Sequence, residues 1–118
     1  MKVLSYKQQA INTRAMIIQL MRMDEMKAVE LFFKAFCNKC RFGIMKMLLE
    51  RPMSVTEIAS MSGLEQSHAS HHLRELLKSG LIEVEVEGHV HRYRMSGDMK
   101  AIVRVVIKHV KKYHMQSQ

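Results

Sequence analysis

No apolar run in this sequence approaches the ~18 residues that a membrane-spanning helix needs. The first residues, MKVLSYKQQ, lack the apolar core of a secretory signal. Cysteine is scarce, with two residues in 118. Without a targeting signal the pair points to the cytoplasm, where structural disulfides are rare. A second cysteine pair, which a zinc ribbon would need, is missing. Acid is short as well: 11 Asp and Glu against 19 Lys and Arg leave a net charge of +8. That excess favours a polyanionic partner, although a basic protein can also be merely soluble. There are no repeats or low-complexity tracts, and the length suits one domain, 1–118, with a modest core.

The parts of an enzyme are equally scarce. There is no glycine-rich phosphate loop and no pair of carboxylates in an apolar setting. Ser67 or Ser70 beside His71 has no orienting acid at suitable spacing. A thiol oxidoreductase could use Cys37-Asn38-Lys39-Cys40, but the βαβ pattern that would frame it is absent. Neither an enzyme nor a cofactor is expected.

What is present is concentrated between Met53 and Met95. Ser54 followed by Glu57 is a capping box that opens a short helix on Val55, Ile58 and Ala59. Pro52, just upstream, ends the preceding helix near Glu50 or Arg51. Ser62-Gly63-Leu64 makes a turn, and a second helix follows from about Glu65 to Ser79. At about 100° per residue, Ala69, Leu73, Leu76 and Leu77 form its buried stripe. The opposite side gathers Ser67, Ser70, His71, Arg74 and Lys78, with Gln66 and His68 near the start and Glu75 at the far edge. Hydroxyl, imidazole and guanidinium groups without a central acid suit a phosphate-lined major groove, although such a face can also be ordinary solvated surface.

Gly80 stops that helix. Leu81 to Val86 then alternates apolar and acidic residues, the period of a half-buried strand. Glu87-Gly88 gives the turn, and His89 to Met95 returns with Val90, Arg92 and Arg94 alternating with His89, His91 and Tyr93. Arg92 and Arg94 near a hairpin tip can grip the DNA backbone, or pair with the acids of the opposite strand. Helix, tight turn, helix and basic hairpin form the layout of a winged helix-turn-helix, mainly α with a small β-hairpin wing.

Residues 31–95 resemble the ArsR/SmtB family of prokaryotic winged-helix repressors. The pieces that carry the resemblance are LFFKAFCNKCRFGIMKMLL, VTEIA, QSHASHHLRELLKSGLI and EGHVHRYRM. The resemblance implies a homodimeric repressor on a double-stranded, pseudo-palindromic operator, induced by a metal ion, an oxidant or a sulfur species. It also implies that the first and last helices build the dimer. Here those are helical segments within 1–36, broken near Arg22 to Asp24, and a helix over 98–115, flanking a DNA-binding core at 37–95 with its wing at 81–95. Ile11, Ala15 and Ile18 and then Met26, Val29, Phe33 and Phe36 give two apolar stripes, with Asp24 as cap of the second. Asp98 is read as the cap of the last helix, with Ile102, Val106, Val110 and Tyr113 on one side. The alternative is that both ends simply cover one core.

Seven histidines invite a metal reading, which the details oppose. Where the family's interhelical zinc pattern would continue from Asp98, Lys100 and Lys111 precede His114, and ammonium groups repel a cation. The family's C-x-C on the short helix is replaced by Thr56, Ile58 and Ser60. His72 falls beside the buried stripe and reads as a packed histidine with one hydrogen bond, whereas His89 and His91 share a strand face but lack a third ligand. No metal site is expected. Cys37 and Cys40 remain, at the start of a helix over Arg41 to Glu50 with Asn38 as cap. A helix N-terminus flanked by Lys39 and Arg41 favours thiolate, so a redox or sulfur switch stands beside the plainer reading of two small residues. A metal-responsive repressor with a non-standard site and a winged-helix module that binds protein are the remaining alternatives.

Overall fold

A computed structural model describes residues 23–115. The stripe expected on Ile11, Ala15 and Ile18 lies outside the described residues, as does Arg22; of the break expected near Arg22 to Asp24, Met23 and Asp24 are helical. The chain divides into two units between Leu31 and Phe32. Helix α1, Met23–Phe36, crosses that division. Before it, Met26, Val29 and Leu31 are exposed; after it, Ala35 is buried and Phe32 and Phe36 are partly buried against the core. Asp24 is not the expected cap. Met23 and Asp24 are both already helical, and a cap needs non-helical backbone.

In the second unit α2 (Lys39–Leu48), α3 (Val55–Ser62) and α4 (Gln66–Lys78) lead into an antiparallel hairpin, β1 (Ile82–Glu87) and β2 (Val90–Met95), and then α5 (Gly97–Val110), which runs on through a wider helical turn at Lys111–Met115. Each boundary has a local cause. Asn38 accepts a hydrogen bond from the Arg41 backbone N–H at 3.0 Å, so α2 begins at Lys39, two residues earlier than expected, and it ends at Leu48 rather than Glu50. Ser54 and Glu57 form the capping box, with the Glu57 N–H donating to Ser54 Oγ at 3.2 Å and the Ser54 N–H to Glu57 Oε1 at 3.3 Å. Gly63 takes φ 74°, a left-handed conformation that glycine adopts without Cβ strain, and this sets the tight turn between α3 and α4. Asp98 is not the cap of α5. Ser96 holds that position, because its N–H bonds to Leu81 O at 3.2 Å and its Oγ donates to Gly80 O at 2.8 Å. The end of β2 is thus pinned to the start of β1, and Asp98 falls inside the first turn.

The core draws one stripe from each element: Ile44, Met45 and Leu48 from α2, Ile58 from α3, Ala69, Leu73 and Leu76 from α4, and Met99 and Val103 from α5. Ile82 and Met95, paired at the base of the hairpin, close it. Burying each large side chain contributes about 1.5–3 kcal/mol. Met53 adds a short bridge to the hairpin, donating to Tyr93 O at 2.9 Å and accepting from the Tyr93 N–H at 2.7 Å. This bridge ties the residue after Pro52 to the wing.

One expectation is corrected in the hairpin, and the last helix carries two apolar sides. In β1 only Ile82 is buried, while Val84 and Val86 are exposed at 38% and 61%, because none of the described elements covers the outer part of the two-stranded sheet. In α5 the buried stripe is Met99 and Val103 with Ile107 packed against it. The expected stripe lies on another side, where Ile102, Val110 and Tyr113 are exposed and Val106 is partly so; exposed Val105 joins it.

Candidate nucleic-acid interface

The buried stripe of α4 decides which way its other side points. With Ala69, Leu73 and Leu76 in the core, Gln66, Ser67, His68, His71, Arg74 and Lys78 are exposed and Ser70 is half-buried. All seven expected residues of this helix therefore sit on or beside one accessible face. Glu75 is half-buried and 3.6 Å from Lys78 Nζ. Among the described residues Glu75 is drawn to a lysine, Glu65 stands exposed at the N-cap rather than in the middle of the face, and Arg74 makes no ion pair. The face offers donors, acceptors and positive charge with no competing carboxylate at its centre, as base edges and phosphates require.

His72 departs from expectation. It is half-buried, but its Nδ1 lies out of solvent without a hydrogen-bond partner, so among the described residues the single bond expected for a packed histidine is not made. Burial, and then the positive charge of Arg41 and the neighbouring His71 and His68, hold its pKa below the usual 6.5. Arg41 is the residue whose role sequence reasoning understated. It lies in the first turn of α2, its Nε is out of solvent and unpartnered, and its charge reaches the reading helix at His72. The only signal in the sequence is its place three residues after the Asn38 cap.

The wing separates its two arginines. The turn is Gly88–His89, one residue later than expected, with Gly88 at φ 62°. Glu83 then faces Arg94 and Glu85 faces Arg92. Arg94 spans both acids: its Nε and Nη2 reach Glu83 Oε2 at 3.0 and 2.9 Å, and its Nη1 contacts Glu85 Oε1. Arg92 is exposed and pairs with neither. His89 sits in the turn and so shares no strand face with His91, which pairs with Val86 on the apolar side.

Cys37 and Cys40 are free and exposed. Cys37 closes α1, its N–H bonding to Phe33 O at 2.9 Å, and Cys40 lies in the first turn of α2. Among the described residues no three His, Cys, Asp or Glu side chains converge where they could hold a metal. No described helix is long and apolar enough to cross a membrane.

Two helices joined by a tight turn, the second presenting an acid-poor face, with a hairpin wing beside it, define a winged helix-turn-helix DNA-binding domain. The chain belongs to the arsR family of bacterial regulatory proteins, whose family model matches residues 38–84. It is similar to the transcriptional activator HlyU of Vibrio cholerae serotype O1, with 36% identity over 92 residues, 77% of this chain and 84% of that protein. The solved HlyU structure from Vibrio cholerae superposes with a TM-score of 0.63 at 33% identity, covering 79% of this chain and 98% of that one. A winged helix-turn-helix domain from Mycobacterium bovis, described as homodimeric and as a possible ArsR-family regulator, reaches a TM-score of 0.70. It spans 100% of this chain and 96% of that one, and at 24% identity it attests the fold alone. The protein is thus a transcriptional regulator of the ArsR and HlyU kind.

Proposed function

We propose that the chain acts in the cytoplasm as a homodimeric repressor on a pseudo-palindromic operator, and that thiol chemistry at Cys37 and Cys40 switches it. The observation that carries the reading is the α4 face, where Ser67, Ser70 and His71 are offered to base edges and Arg74 to phosphate with no acid at the centre of the face. Gln66 and His68 stand at the start of the helix, and Arg92 reaches for phosphate from the wing. The apolar side of α5, with Ile102, Val105, Val110 and Tyr113 between 41% and 65% exposed, supports a dimer built on that helix. In a dimer the half-sites lie about one helical turn of DNA, or a multiple of it, apart.

Oxidation would join the two sulfurs, with two protons and two electrons passing to a peroxide, a disulfide or a polysulfide. The ring so formed encloses Asn38, whose side chain caps α2, and lies next to Arg41, whose charge reaches α4. Closing it would shift the start of α2 and with it the reading helix, so the reduced protein binds and the oxidised protein releases.

The test is a salt-titrated binding assay on the gene's own upstream region, with sedimentation at micromolar protein and diamide or polysulfide added in parallel. The reading expects twice 13.8 kDa, a steep salt slope with sequence preference, and an oxidant response lost in Cys37→Ser. A monomer that still binds tightly would sink the dimer. Affinity that stays within about a factor of two while all thiols are consumed would leave the cysteines as two small residues at a cap. Transcription in vitro with and without the protein reads the sign, and stimulation would overturn repression.

A further inference from the structure

Away from the reading face, α2 and α5 leave an open cleft of about 520 Å³ between them. Lys46 and Glu50 line it from α2, and Arg104, Lys108 and Lys111 line it from α5, over a floor of Leu49 and Ile107. The spacing is a device of the helix. Positions 104, 108 and 111 are one and two turns apart, so their side chains stack along one face. Three like charges in such a row repel, and among the described residues no carboxylate within ion-pairing distance relieves Lys46, Arg104, Lys108 or Lys111. Cations in a last turn also complement the helix dipole, which accounts for Lys108. It does not account for Arg104 in mid-helix, nor for Lys46 facing it from another element. Among the described lining residues Glu50 is the only acid, so against four cations they carry a net charge of +3.

We infer that this cleft binds a phosphorylated small molecule with a flat or apolar body, of the nucleotide class. Arg104 supplies the planar fork suited to phosphate oxygens, and the lysines supply point charges around it. Leu49 and Ile107, both packed on the core, give the body an apolar seat. The volume falls within the range of ligand pockets, and one strongly charged end over an apolar floor is their usual composition. The site joins the helix that leads into the reading unit to the helix with the exposed apolar stripe. Its occupancy is therefore placed to alter DNA binding, a consequence that rests on the function proposed above, whereas the binding itself does not.

The probes are ATP and inorganic pyrophosphate, titrated by calorimetry into the whole protein in its reduced form. ATP should bind saturably at millimolar concentration or below, and more tightly than pyrophosphate because the floor contributes. Arg104→Glu with Lys108→Glu should weaken ATP at least tenfold, and Lys46→Ala on the other helix should weaken it severalfold. Circular dichroism and operator binding without ATP should be unchanged in both. Arg92→Ala should bind ATP as the parent does. No saturable ATP binding overturns the inference, as does equal binding by the double variant or loss of binding in Arg92→Ala, which would place ATP on the DNA surface. If the double variant instead loses its dimer in sedimentation, the cleft belongs to a protein interface and the inference fails. Failure of operator binding with ATP binding intact would refute the proposed function and leave the cleft standing.

Discussion

The reading helix and the wing carry similar side chains and use them in opposite ways. α4 buries three apolar residues completely and leaves its polar side largely unpaired. The hairpin buries only its base and spends Arg94 on its own glutamates. One element is rigid where it is apolar and open where it is polar; the other is anchored at one end, with its charges partly neutralised before any partner arrives. Basic residues near a DNA-binding face are therefore not equivalent. What each can offer depends on whether a neighbouring acid already holds it.

The largest effect that tests this contrast concerns anchoring. Leu73 is 1% exposed in the core and Val86 is 61% exposed on the wing. Leu73→Ala should cost about 2–5 kcal/mol of unfolding free energy in urea titrations, the usual range for a buried leucine. Val86→Ala should fall within about 0.5 kcal/mol. Comparable losses at the two sites would mean that the wing packs against something in solution, and the contrast would collapse.

Next come the contacts themselves. Replacing Ser70 or His71 with Ala should relax preference at particular base pairs by about 1–3 kcal/mol, measured on a panel of single-base operator variants. Arg92→Ala should weaken binding to every sequence and flatten the dependence of log affinity on log salt by about one unit. Arg94→Ala should leave that slope nearly unchanged, because the guanidinium is already matched to Glu83 and Glu85. A slope change equal to that of Arg92→Ala would show that Arg94 leaves its acids for phosphate.

Much of this architecture was legible in the residues. The Ser54–Glu57 box, Gly63 and the spacing of Ala69, Leu73 and Leu76 place α3, the turn and α4 to within a residue or two, because each is a local signal that tertiary packing reinforces. The faces of the wing were legible too, since alternation survives a shift of the turn by one residue. Which side is covered was not: periodicity marks Val84 and Val86 as sharing a face with Ile82, but only the third dimension shows that no described element lies over them. Asp98 was misread as a cap for a similar reason. Ser96 outcompetes it through bonds to Leu81 and Gly80, far away in sequence. The difference between Arg92 and Arg94 hangs on strand register, and the approach of Arg41 to His72 on the packing of two helices. Neither leaves a trace in local pattern.

The smallest effect follows from that last approach and lies on the helix side of the comparison. His72 is only half-buried, so its shift is modest, but its sign is fixed by its surroundings. Burial and the charges of Arg41, His71 and His68 disfavour the imidazolium in the folded state, which puts the folded pKa below the 6.5 of the unfolded chain. Above that value both states are neutral and His72 contributes nothing to the pH dependence. As pH falls below it, the unfolded chain takes up the proton first, and stability declines until the folded pKa is passed. Between about pH 7 and about pH 5 the parent protein should therefore lose more stability than His72→Gln, with the other histidines common to both. Arg41→Ala should shrink the difference by removing one of the opposing charges. Parallel stability curves for the parent and His72→Gln would mean that His72 is solvated like an ordinary histidine, and the contact between the start of α2 and the reading helix would lose its electrostatic support.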